Sequence, residues 1–235
     1  MKRVRANTTS AIAALAMLLA LLLNPASAQS DVIDRILATV NGHVILQSDL
    51  DEALCYEAVL NGRTLDQFSG EDRRAVLDQL IDQELLGEQM KSAFFQHASE
   101  SEAASQIVDA RKQYAEGATA EGWQSVLARF QLSERDLLTH VQRQIDLMRL
   151  VDVRLRPAVQ IDSKTIEDYY REKFVSQLKQ SGAEDVPPAD VSAKIRELLT
   201  QEKVNQLLVS WLQTLRSESR VSVPGAPVAE GAQTQ

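Results

Sequence analysis

Apolar residues follow three spacing regimes along the 235-residue chain. Positions 11–23 are unbroken and apolar. A run of this length suits a signal-peptide core and falls short of the ~20 residues a membrane-spanning helix needs. Lys2, Arg3 and Arg5 precede it, Asn24 and Pro25 break it, and Ala26-Ser27-Ala28 offers a small-x-small cleavage pattern. Residues 1–28 are therefore expected to be a signal peptide, cut after Ala28. The mature chain is expected to work outside the cytoplasm without stable membrane insertion.

The second regime has a period of two. Runs 36–40 and 43–47 are β-prone and are joined by Asn41-Gly42, a dipeptide that accepts the positive φ angles of a type I′ turn. From Ser48 the period becomes 3.6. Ser48 with Asp51 resembles a capping box opening a helix to Leu60, which Asn61-Gly62 ends. The spacing predicts a longer helix over 71–96 with Leu77, Leu80, Ile81 and Leu85 on one face. Ser99 and Glu102 cap a helix carrying Ala103, Ile107, Ala110 and Tyr114. A shorter helix carries Trp123, Val126, Leu127 and Phe130. Ser133 starts a long one with the stripe Leu137, Val141, Ile145, Met148, Val151 and Leu155, stopped before Pro157.

After an extended stretch at 159–161, a helix from Ser163 presents Ile166, Tyr170, Phe174 and Leu178. A break at 182–188 precedes a last long helix over 190–219, with Ile195, Leu198, Leu199, Leu208, Trp211 and Leu215 as its face. Residues 220–223 read as a terminal strand. Residues 224–235 are too poor in apolar bulk to order themselves, so a disordered tail is expected there. A lone hairpin is marginal in water, and a lone strand closes the chain. Val221–Val223 is therefore expected to join the hairpin. The fold class is mainly α, with a small antiparallel sheet built from the N-terminal hairpin and the C-terminal strand.

Composition narrows the function. The chain carries a formal net charge of −8, and losing the three basic leader residues makes the rest more acidic still. Such a chain repels nucleic acid and anionic membrane surfaces. Cys55 is the only cysteine, so no internal disulfide can form and packing must supply stability; it reads as a small core residue. Three histidines, His43, His97 and His140, stand apart without metal-ligand spacing. No nucleophile elbow or phosphate loop occurs, and carboxylates at helical spacing beside Arg and Lys read as solvated faces. No catalytic, cofactor-binding or metal-binding residue is assigned, and no cofactor is expected.

Two stretches carry a family resemblance. Residues 34–50, DRILATVNGHVILQSDL, resemble the opening hairpin of SurA-type periplasmic chaperones, and 76–86, VLDQLIDQELL, resemble the helix that follows. Residues 161–170, IDSKTIEDYY, are similar to the segment preceding that family's parvulin domain, and 186–212 to its returning C-terminal helix. Parvulin prolyl-isomerase domains of ~90–100 residues usually lie between those last two segments. Here only a short stretch separates Phe174 from Pro187, and the parvulin histidines have no counterparts.

The resemblance implies a chaperone core, 29–223, without the isomerase and therefore not an enzyme. It implies a periplasmic, ATP-independent holdase for unfolded outer-membrane or envelope proteins. The alternative is a structural or adaptor protein of the envelope serving one dedicated partner. Exchange of helices between two copies, giving a homodimer, stays open. The client surface is sought among helices within 71–180, where Met90, Phe94, Phe95 and Trp123 can be read as groove or as core. Client-binding residues are unassigned.

Overall fold

The structure, a computed structural model, describes residues 34–181 and 186–224. The expected signal peptide at 1–28 and the tail from 225 onward lie outside the described residues.

Strands β1 (Ile36–Val40) and β2 (His43–Leu46) form the expected antiparallel hairpin. At its turn Asn41 and Gly42 both adopt positive φ, 50° and 93°, as a type I′ turn requires. Strand β3 (Val221–Ser222) pairs antiparallel with β1, giving the order β2-β1-β3. Asn41 fastens this closure. Its N–H donates to the Arg220 carbonyl at 3.0 Å, and its Oδ1 accepts from the Arg220 N–H at 2.9 Å. Its Nδ2 donates to Glu88 Oε2 at 2.8 Å and to Ser219 Oγ at 3.2 Å. Asn41→Ala loses both the tolerance for positive φ and the side-chain bonds. It is expected to cost roughly 2 kcal/mol, whereas Asn41→Gly, which keeps the turn, costs about 1 kcal/mol. Urea midpoints of the two variants check the order.

Helix α1 (Gln47–Asn61) follows the hairpin directly. The expected Ser48–Asp51 box does not form. Asp49 instead accepts from the Leu46 N–H at 2.7 Å, and the Ser48 N–H donates to Asp34 at 3.2 Å. The helix starts two residues earlier than the sequence suggests, so Leu46 instead of Ser48 becomes the capping position. Gly62, at φ 63°, ends α1 in the left-handed conformation.

Helix α2 (Gly70–Met90) opens on a reciprocal Ser69–Asp72 box and stops short of the expected 96. The reason is tertiary. Helix α5 (Glu134–Leu155) captures the backbone of the next segment. Asp146 accepts from the Ala98 N–H at 2.7 Å, and Arg149 donates to the Gln96 carbonyl at 2.8 Å. Helices α3 (Glu100–Arg111) and α5 start on the Ser99–Glu102 and Ser133–Asp136 boxes, and α4 (Ala120–Arg129) on Thr119. Tyr114 lies beyond α3, yet its hydroxyl donates to the Ala58 and Val59 carbonyls at 3.2 Å each, pinning the connection to α1.

Helix α6 (Ser163–Tyr169) continues through a π turn at Tyr170–Phe174 into α7 (Val175–Ser181). Helix α8 (Pro188–Glu218) then runs back to β3.

Two long helices change sides along their length. The N-terminal half of α5 buries Leu137, Val141 and Ile145 against α1, α3 and α4, with Trp123 at the centre of that cluster. Its C-terminal half buries Leu147 and Leu150 against the sheet and α2. On α8, Val191 and Ile195 pack on Ile166 of α6, whereas Leu208, Trp211 and Leu215 pack on the sheet cluster. At 3.6 residues per turn, the two buried stripes of each helix lie roughly half a turn apart. Each helix therefore leaves an apolar face without a cover where it switches.

Candidate functional site

Those uncovered faces meet. On α5, Gln144, Leu147, Met148 and Val151 fall at helical spacing along one wall of an open trough of about 510 Å³. Helix α2 supplies Gln79, Gln83 and Leu86, and α8 supplies Gln201, Asn205, Leu208 and Leu212. Met148 is 65% exposed, and the apolar residues beside it are partly or wholly covered, so the floor is apolar and its centre wet. The groove runs on along α8 to the exposed Leu198, with Gln201 common to both parts.

Ion pairs set the position of the α8 wall. Near its end Arg216 Nε donates to Asp82 Oδ1 at 2.7 Å and its terminal nitrogen to the Asp78 carbonyl at 3.1 Å, tying α8 to α2. Asp82 raises the proton affinity of this guanidinium, against the opposing effect of partial burial. Further along, Arg156 at the end of α5 donates to both oxygens of Glu197, at 2.9 and 3.1 Å, and to Gln201 at 3.3 Å. The three helices thus hold the trough open at a set width through contacts that lie beside its floor rather than across it.

The residues considered from sequence fall on different sides of this division. Trp123 is core. Met90 and Phe95 pack on the sheet cluster, and Phe94 stands fully in solvent on the connection after α2. None of the four lines the trough. Met148 and Val151 were expected on a core stripe; the stripe is real, but only its first half is roofed. The signal was present in the sequence. Leu147, Met148, Leu150, Val151 and Val153 spread over more of the α5 circumference than one buried face can take.

A second cleft, of about 430 Å³, lies between β2, α1, α2 and α5. It is lined by paired charges: Glu84 sits 3.8 Å from His43 and 3.9 Å from Arg143. His140 stacks on Tyr56 with ring centroids 4.0 Å apart. Burial first, and the nearby Arg143 second, push His140 down to about 4. The imidazole is neutral in the fold but takes up a proton near pH 6.5 once unfolded. Its contribution is fully present above pH 6.5 and is lost as pH falls from there to 4. Up to about 3 kcal/mol disappears in that window. Urea midpoints against pH, compared with those of His140→Phe, isolate this term; the variant is expected to show a shallower decline between pH 6.5 and 4.

His97 bonds Asp146 at 2.8 Å on another face, so the structure does not bring the histidines together. Cys55 is half-buried against the Trp123 cluster; burial, then Asp51 and Glu52, push its thiol up. Among the described residues no group of His, Cys, Asp and Glu could hold a metal ion, and no helix is long and apolar enough to cross a membrane.

The family model of the SurA-like N-terminal domain matches residues 1–151, which include the α5 residues on the floor of the trough. The chain belongs to this family. No curated protein matches it. Two walls of the trough, α2 and most of α5, thus belong to the matched SurA-like region, and α8 lies beyond it. The domain is a chaperone-type module.

Proposed function

We propose that the protein is an ATP-independent holdase of the periplasm, which binds unfolded outer-membrane or envelope proteins in the α2–α5–α8 trough during transit. One observation carries the reading: an apolar floor centred on exposed Met148 is left uncovered inside a SurA-like module. A holdase without nucleotide must bind broadly and let go unaided. An open apolar trough with a polar rim suits that task, because apolar contact is non-directional and roughly proportional to area. The proposal includes export, with residues 1–28 removed after Ala28.

The test is to dilute a urea-unfolded outer-membrane β-barrel protein into buffer containing the chain from Gln29 onward and to follow light scattering. Suppression near equimolar amounts without nucleotide is the expected result. Unchanged scattering, with circular dichroism showing a folded helical protein, would overturn the holdase reading.

A further inference from the structure

One side of α8 faces water along the middle of the helix. Val191 and Ile195 before it are covered by α6, and Leu208 and Leu215 after it belong to the sheet cluster. Between them Leu198 is 43% exposed, in a shallow hollow lined by Lys194, Glu197, Gln201 and Glu202.

The polar groups around Leu198 divide into two sets. Glu197 is held by Arg156, and Gln201 accepts from Arg156 and donates to Asn205 at 3.1 Å. Lys194 and Glu202, by contrast, have no ion-pair partner among the described residues. They stand four residues to either side of Leu198, so the three form one row on the helix surface: basic, apolar, acidic. Along the axis the two ends of the row are roughly 12 Å apart, too far to pair with each other.

Such a row is its own complement. Rows of every fourth residue on two helices interlock when the helices cross at about 50°, the commonest packing class. When two copies of this row run in opposite senses, Leu198 meets Leu198, and Lys194 of each copy meets Glu202 of the other. A single two-fold axis through the crossing then pairs the charges that one copy leaves unpaired.

We propose that α8 docks on α8 of a second copy of this chain, antiparallel and crossing at Leu198, to form a two-fold dimer. The contact is short, because crossed helices diverge within about two turns, and its apolar centre is small. The dimer is therefore weak and forms as concentration rises. It is independent of what the trough holds.

Sedimentation equilibrium of the chain from Gln29 onward, at low salt and up to about 1 mM, tests it. A reversible monomer–dimer equilibrium is expected. Lys194→Glu and Glu202→Lys should each weaken it about tenfold, because each sets two like charges where two opposite ones stood. The double variant should restore it, and a mixture of the two single variants should form mixed dimers about as tight as the parent. General repulsion between acidic chains has a different signature: it would weaken the first variant and strengthen the second. A chain monomeric throughout, single variants that move in opposite directions, or a double variant no tighter than the singles would overturn the proposal. If the chain is monomeric and Leu198→Gln lowers its protection against light scattering, the row serves clients, so the dimer falls and the holdase reading stands. A dimer with the expected charge pattern but no protection leaves the dimer standing and removes the holdase.

Discussion

The double variant Met148→Gln, Val151→Thr is expected to stay folded and to lose most of its client protection. Met148 is largely in water already, and both replacements keep size and fit a helix, so the native state loses little. Binding is another matter. A client apolar group that settles on the floor removes the Met148 and Val151 side chains from water. Fully burying such side chains is worth about 1.5–3 kcal/mol each. Replacing them with groups that must give up water to be covered takes much of this away. Affinity should fall by about tenfold or more. The readout is the concentration needed to halve light scattering from an unfolded β-barrel protein, measured beside thermal unfolding. A fall in melting temperature that tracks the loss of protection would point to a folding defect instead of a site. Unchanged protection in a folded variant would remove the trough from the account.

The largest stability effect is expected at Trp123. Its side chain is 1% exposed, at the centre of the cluster joining α1, α3, α4 and the first half of α5. Tyr114 lies 6.0 Å away between ring centroids, and the Arg111 guanidinium 5.9 Å from the ring. Trp123→Ala should cost about 3–5 kcal/mol, from lost transfer energy plus an incompletely closed cavity. The melting temperature should drop by roughly 10 °C or more. Trp123→Phe should cost much less than the aromatic volume alone suggests. Among the described residues the buried indole Nε1 has no hydrogen-bond partner, so the smaller ring also removes an unsatisfied donor. Because this cluster and the trough floor use successive lengths of α5, the Trp123→Phe protein should protect clients as the parent does. Equal destabilisation by Ala and Phe would contradict this account of the indole nitrogen.

Local chemistry made much of the fold legible before any coordinates. Asn41-Gly42 announced its turn because few residues accept two successive positive φ angles. Ser99 announced its helix because the capping acid Glu102 sits three residues on, and the start at Ser133 is found where the stripe placed it. The pairing of β3 with β1 followed from two strands that each lacked a partner, and the structure places them together. What local chemistry could not give was which apolar face is covered. The stripe from Leu137 to Leu155 is continuous in sequence, yet α1, α3 and α4 roof one half and nothing among the described residues roofs the other. The end of α2 at Met90 was hidden for a related reason, since Asp146 and Arg149, more than fifty residues on, compete for the backbone at 96–98. The trough is made of such non-local decisions, so its residues passed for core.

Site-specific photocrosslinking tests the central claim most directly. A photoreactive residue is placed at Met148, inside the trough, and in a second protein at Val108, an exposed apolar position on α3. Each protein is mixed with an unfolded outer-membrane β-barrel protein and irradiated. Strong adducts from position 148 and few from position 108 are the expected result, because only the first lies where a client is held. Equal yields from both positions, or a higher yield from 108, would contradict the assignment of the trough as the client site.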